Sequence, residues 1–534
     1  MLQNPLSLGA ASKACAALLT AGLMLSACSG NDDLRIEPVP GFDGIVATGE
    51  PTAALVGREV LAYGGTVADA AVAVSFALSV AYPSRVSLGG GGICLLHYRE
   101  GQIAEALSFL PFSASSGGVP PGLTRGLEAL HARYGYLKWQ SLVAPAEFLA
   151  RFGFKTSRAL TVDLIAAQGL LRQDPAAAAL FLPGGQPLAS GTNLQQPMLA
   201  RTLAGIRAEG ASLFLTGPTG PTFAKESTAA GLRLDESELR NRVPEYLAPL
   251  RLEIGSDYLY VTPPPASNGV VTAEIFRILS KAADYEDEDA PGRRHHLFLE
   301  ASAQGFANRG GWLGANGLPN TALTQLFDED ALNARLAGLG NTQHKPATNL
   351  VPRPREVVEP LAGTAFVIGD RYGNALACSM TNNGLFGAGR LAPTSGILMA
   401  APPPDNLAVS PVAALVTSIG TERARLAAGA SGGAAGATAL ARFLVDVIER
   451  DISLSQALQQ VRVHHNGLPD IAFVEERLDA DSEQILVELG HRLQAVPNLG
   501  EVQAWYCPEG ILQAPQSCGV EADPRGFGLS TTSP

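Results

Sequence analysis

Residues 69–80, DAAVAVSFALSV, carry one charged side chain, two serines and otherwise only Ala, Val, Phe and Leu. A helix that is apolar on nearly every side has no face to offer water, so it is expected inside, covered on most sides. It leads to Gly89–Gly92 and the strand-like ICLLHY. A phosphate cradle would need Gly-Lys-Ser/Thr after the glycines and then a helix, whereas this run enters a strand. The glycines therefore read as places where a neighbouring backbone packs closely.

From about residue 120 to 281 the pattern is helical, as in TRGLEALHARYG and VTAEIFRILSKAA, interrupted by YLYVTPPPASNG, a strand and a proline-locked turn. RRHHLFLEASAQGFANRGGWLG reads as a helix, and KPATNLVPRPREVVEP as an exposed linker. Strands then dominate until the helix TALARFLVDVIER and a strand-rich end. Strands flanked by helices on both sides, without βαβ alternation, predict a layered α/β sandwich.

With 46% hydrophobic and 16% charged residues among 534, the chain is expected to bury a large core. A net charge of −12 and the lack of a Lys/Arg cluster argue against nucleic acid as a partner. KACAALLTAGLMLSACSG pairs one Lys with an apolar run too short to span a bilayer, which suits a signal peptide. The small residues before Cys28 resemble a bacterial lipoprotein box, with plain secretory cleavage as the alternative. The resemblance implies removal of residues 1–27 and lipidation of Cys28, with 28–42 as a polar tether. Ser29 after the Cys implies the outer membrane, so a lipid-anchored protein of the cell envelope is expected. Cys507 and Cys518 bracket a Pro/Gly loop and are expected to pair in an oxidising compartment. Cys94 and Cys378 lie in apolar strand-like runs and read as buried free thiols.

No metal site and no cofactor are expected: His295-His296 and His464-His465 are adjacent pairs, and adjacent side chains do not converge on one ion. GASGG, residues 429–433, matches the Gly-x-Ser-x-Gly elbow of serine esterases, with Ser431 as nucleophile and Asp470 and His491 following in triad order.

A wider resemblance runs from Gly49 to the C-terminus. GGTVADAAVAVSFALSVAYPSRVSLGGGG, YVTPPPASNGV, DRYGNALACSMTNNGLFGAGRLAPTSGILM, ASGG, VRVHHNGLPD and ADPRGFG resemble, in order, landmarks of the gamma-glutamyltransferases, which are N-terminal-nucleophile hydrolases. The resemblance implies a four-layer αββα sandwich with large-subunit-like (43–363) and small-subunit-like (364–534) portions forming one domain. It also implies cleavage before a threonine, which then serves as nucleophile with its own α-amino group as base. Gly432 and Gly433 match the oxyanion glycines, Thr381 and Asn383 match groups that bond substrate and threonine, and Asp405 matches the acid that meets a substrate ammonium. A small amide or peptide-like ligand, a gamma-glutamyl compound if the chain is active, is the partner so implied.

Counting back from GDRYGNA without gaps, the family's Thr-Thr doublet falls on Gly363-Thr364, so the nucleophile slot holds Gly363. Thr364 is the candidate nucleophile, but on a strand one step turns it to the other face, beside Phe366 and Ile368. The family's carboxylate-binding Arg corresponds to Leu110, its serine pair to Leu407-Ala408, and its Asn-Asn-Gln to Ala400-Ala401-Pro402. Arg85 is either a substitute clamp or a structural ion pair. Three readings follow: an amidohydrolase using Thr364, an uncleaved ligand-binding member of the family, or an esterase using Ser431.

Overall fold

The computed structural model describes Met1 and residues 41–533, apart from 283–284, 286–289, 341, 357–358 and 405–409. Apart from Met1, these belong to the compact unit Val39–Pro534. Cys28, Asp405 and the Leu407-Ala408 pair lie outside the described residues.

Strand pairing sorts the chain into two large antiparallel sheets. The first contains β1 (Gly44–Thr48), β2 (Gly91–Tyr98), β3 (Ile103–Phe109) and β4 (Glu245–Leu247). The second begins with β5 (Leu250–Ile254) and β6 (Asp257–Val261). β7 (Thr364–Asp370) and β8 (Ala375–Thr381) return to the first sheet; β9 (Val412–Ser418), β10 (Ala424–Ser431), β11 (Glu501–Tyr506) and β12 (Gly519–Glu521) complete the second. With β13 (Leu529–Ser533) at one edge, the orders are β13-β1-β7-β8-β2-β3-β4 and β12-β11-β10-β9-β6-β5.

Three apolar layers hold these sheets together. Ile45, Ile93, Leu95, Val367, Ala377, Leu415, Ala427 and Trp505 fill the space between the sheets. Alternate residues of the first sheet, including Phe366, Ile368 and Leu376, pack against helices α1 (Pro51–Ala62) and α2 (Val67–Ala81). On the far side, α3 (Asn268–Lys281), α4 (Pro291–Trp312) and α5 (Ala434–Leu444) cover the second sheet. This is an αββα sandwich, with all fifteen residues of α2 buried. Thr66 and Asp69 close a capping box at the N-terminus of α2, so its one acidic residue is spent on backbone N–H groups.

The Gly89–Gly92 run packs as its composition suggested: a Cβ on Gly91 would lie 2.0 Å from the Phe109 carbonyl oxygen, a space only glycine can occupy. The cysteines need a correction. Cys94 and Cys378 are not free thiols but a disulfide, because the β2–β8 register sets them directly opposite each other. Two apolar strand runs gave no hint of that register. Cys507 and Cys518 are also joined. The linker, too, is less exposed than its composition implied: Val351 faces solvent, but the Glu359 carboxylate is buried. Among the described residues, no helix is long and apolar enough to cross a membrane.

Candidate functional site

The ends of β7, β8 and β10 meet where the first sheet faces the start of α5. β10 stops at Ser431, and Gly432 (φ +111°) and Gly433 (φ +63°) turn the chain into the helix. Both conformations favour glycine, and a Cβ on Gly432 would lie 2.8 Å from the Gly500 Cα. The helix N-terminus directs partial positive charge at this corner, as an oxyanion site requires.

Facing this corner is Gly363. A Cβ built on it would lie 3.9 Å from both the Ser431 and Thr381 Cβ atoms and 2.8 Å from the Met380 carbonyl oxygen. Gly363, Thr381, Ser431, Gly432 and Gly433 enclose a space of about 10 Å³, room for one water at most. β7 and β8 pair in unbroken register, Thr364 opposite Met380 and Ala365 opposite Ser379, so no bulge rotates the strand. Thr364 thus falls on the face of Phe366 and Ile368. Its hydroxyl approaches Gly49, where an added Cβ would be 2.7 Å from Oγ1, and it is buried without a hydrogen-bond partner among the described residues.

The other candidates divide sharply. Thr381 Oγ1 donates to the Ala362 carbonyl (3.3 Å) and accepts from the Asn383 N–H (2.8 Å). Asn383 Nδ2 donates to the carbonyls of Pro111 (2.5 Å) and Ala401 (2.9 Å), which uses both its protons. Leu110, in the slot of the carboxylate-binding Arg, is packed into the core between the sheets.

Arg85 does two things at once. Nε and Nη2 form a bidentate pair with Asp163 (2.7 and 2.8 Å), and Nη1 donates to the Gly363 carbonyl oxygen at 3.4 Å. It also lines a cavity of about 380 Å³ with Gly432, Ser431, Asn466, Phe473, Asn498 and Glu501. Burial pushes the Glu501 carboxyl up, against the pull of Arg85. The side-chain oxygen of Asn466 is buried there with no partner among the described residues.

The chain ahead of Thr364 forms another wall of this cavity through Glu359 and Leu361. Glu359 pairs with Arg309 and accepts from Asn268 Nδ2 (2.7 Å), while Asn268 Nδ2 also reaches the Gly433 carbonyl (3.3 Å). Sequence reasoning missed this network, because nothing in a Pro/Arg/Glu stretch marks which carboxylate turns inward.

The residues proposed to serve Ser431 are elsewhere. Asp470 bonds His344 (3.2 Å) and His465 (3.1 Å), and His491 bonds His296 (2.7 Å). β10 also lies between antiparallel neighbours β9 and β11. Each adjacent histidine pair is split: His296 groups with Glu300 and His491, and His465 with His344 and Asp470. The one sequence trace of this was the His296–Glu300 spacing of four on a helix.

Residues 53–531 match the gamma-glutamyltranspeptidase family. The chain is 28% identical to the "Glutathione hydrolase proenzyme" of Escherichia coli (strain K12) over 530 residues, covering 89% of this chain and 90% of that protein. It is also 28% identical to the "Acylase ACY 1 proenzyme" of Pseudomonas sp. (strain V22) over 524 residues, covering 89% and 92%. Its fold is similar to a crystal structure of cephalosporin acylase from Bacillus halodurans, with a TM-score of 0.79 at 22% identity over 93% of this chain and 97% of that one.

Proposed function

The chain belongs to the gamma-glutamyltranspeptidase family, and we propose that within it this protein is an uncleaved binding member, which holds a small amide or peptide-like ligand without cutting it. One observation carries this reading: the residue that faces Gly432 and Gly433 is Gly363, which has no oxygen to attack with, while Thr364 lies on the opposite face of β7. The ligand space is the cavity beside Gly432, whose volume of about 380 Å³ suits a small molecule. Beyond its pair with Asp163, the Arg85 guanidinium has N–H groups to offer a ligand carboxylate, and Glu501 and the Asn466 oxygen, which has no partner among the described residues, accept from N–H donors. A dipeptide-like amide has both kinds of group.

The reading includes an exported chain anchored through lipid at Cys28, on the outer membrane. Two disulfides support an oxidising compartment. Loss of palmitate labelling in Cys28→Ala tests the anchor.

A second reading keeps the family's chemistry, in line with the printed names of the relatives. The Gly363 carbonyl that Thr364 would attack already receives the Arg85 N–H, and the Thr364 hydroxyl is uncommitted. Hydroxyl addition to that carbon, with the amide nitrogen leaving as a new α-amino group, would join Gly363 to the Thr364 oxygen as an ester; water hydrolysis of that ester would release the Gly363 carboxylate and free an N-terminal threonine.

Hydrolysis of a gamma-glutamyl anilide separates the two. The binding reading expects release no faster than in a Thr364→Ala control; release that depends on Thr364 would sink it. Calorimetric titration with gamma-glutamyl dipeptides should give heats that vanish in Glu501→Gln.

A further inference from the structure

We propose that His296, Glu300 and His491 form a binding site for one zinc ion, on the outer side of the second sheet and away from the Gly432 corner. Their ligand atoms all lie within 4.8 Å of one another, and all three residues are buried. Two imidazoles and one carboxylate are a donor set that zinc takes, leaving a fourth position for water.

The hydrogen bonds define how this triad would take up an ion. His296 Nε2 lies 2.5 Å from the Gly340 carbonyl oxygen, so it must carry a proton and donate. A neutral His296 then presents its Nδ1 lone pair inward, in the carbonyl–histidine arrangement that orients metal ligands. His491 Nε2 stands 2.7 Å from that Nδ1 and 3.9 Å from Glu300 Oε1. His491 Nε2 therefore carries a proton and donates it to that lone pair, while its Nδ1 is buried with no partner among the described residues. Moving its proton from Nε2 to Nδ1 frees a second lone pair without a net change in charge. Two nitrogens each about 2.0–2.1 Å from a tetrahedral zinc are ~3.3 Å apart, so the histidines need separate by only ~0.6 Å.

Glu300 is already held for the task. Its Oε2 accepts from the Lys345 N–H (3.1 Å) and its Oε1 from His344 Nδ1 (2.6 Å). The neighbouring triad of His344, His465 and Asp470 is different. His465 Nδ1 accepts from the Gly467 N–H (3.0 Å), which leaves the proton on Nε2, donated to Asp470. His344 sits between two carboxylates and donates to both. That triad is filled by protons and serves as support for Glu300, not as a second ion site.

Zinc here would tie α4 to two surface segments, one carrying Gly340 and Lys345, the other carrying His491. The test uses the mature chain without a polyhistidine tag, stripped with chelator, equilibrated with zinc sulfate and desalted. Elemental analysis should find about one zinc per chain, with the melting temperature raised relative to chelator. Uptake should fall at least ~10-fold in His491→Ala and in His296→Gln, and be kept in His465→Asn. Uptake by the stripped wild type below about a tenth of an equivalent, or undiminished uptake by both variants, would overturn the proposal. Should the variants not fold, zinc-edge X-ray absorption of the loaded wild type decides. A nitrogen/oxygen shell with imidazole scattering supports the site, and a sulfur-containing or imidazole-free shell refutes it.

Discussion

The two walls of the cleft at Gly363 differ in what they leave unspent. On the Asn383 wall the amide protons of Asn383 go to the Pro111 and Ala401 carbonyls, and Leu110 is core. On the Arg85 wall a guanidinium already paired with Asp163, a carboxyl, and an amide oxygen without a partner among the described residues line open space. The two positive-φ glycines form a tight corner at Gly432–Gly433, and the open cavity lies to one side of it. The glycine corner is also a packing requirement, since a Cβ on Gly432 would press on the Gly500 backbone.

Arg85 bears most on this comparison. Arg85→Ala leaves Asp163 buried without its partner and should cost about 3–5 kcal/mol in denaturant unfolding, most of it recovered in Arg85→Ala/Asp163→Ala. A neutral Arg85→Ala would mean that the ion pair contributes nothing and would break the assignment of this wall. Glu359→Gln should cost less, about 1–3 kcal/mol, by weakening the bonds to Arg309 and Asn268. It should also make the chain ahead of Gly363 more sensitive to protease, and unchanged proteolysis would detach this segment from the site.

Gly432→Ala should cost about 1–3 kcal/mol through its positive φ and the approach to Gly500. If it is silent, the corner is not the rigid element supposed. The smallest effect concerns the layer behind the glycine corner. Burial pushes the Glu274 carboxyl up to about 7, against Arg335, from an ordinary 4.5. Its neutral form thus favours the fold below pH 4.5, and that contribution is lost as the pH rises to 7. Thermal unfolding at pH 4.5 and 8 should therefore move in favour of Glu274→Gln relative to wild type as pH rises; parallel curves would contradict this.

Much of the fold was legible because its signals are periodic and local. The all-buried α2, the glycine run before β2 and the strands after Gly363 each follow from apolar spacing. Strand parity also placed Thr364 with Phe366 and Ile368, since a period of two leaves little freedom. What stayed hidden depends on register between distant strands or on which polar group turns inward. Cys94 meets Cys378 across 284 residues, Glu359 finds Arg309, and His296 finds His491. None of these pairings leaves a local trace in composition.

The Cys94–Cys378 bond also governs how the central claim must be tested. It joins the portions on either side of the Gly363–Thr364 bond, so a cleaved chain would still migrate as one species without reductant. Reducing, denaturing electrophoresis of the purified mature chain, with intact mass, is therefore the direct measurement. The account predicts a single full-length band for both wild type and Thr364→Ala. Two fragments whose break falls before Thr364, present in wild type and lost in Thr364→Ala, would contradict it.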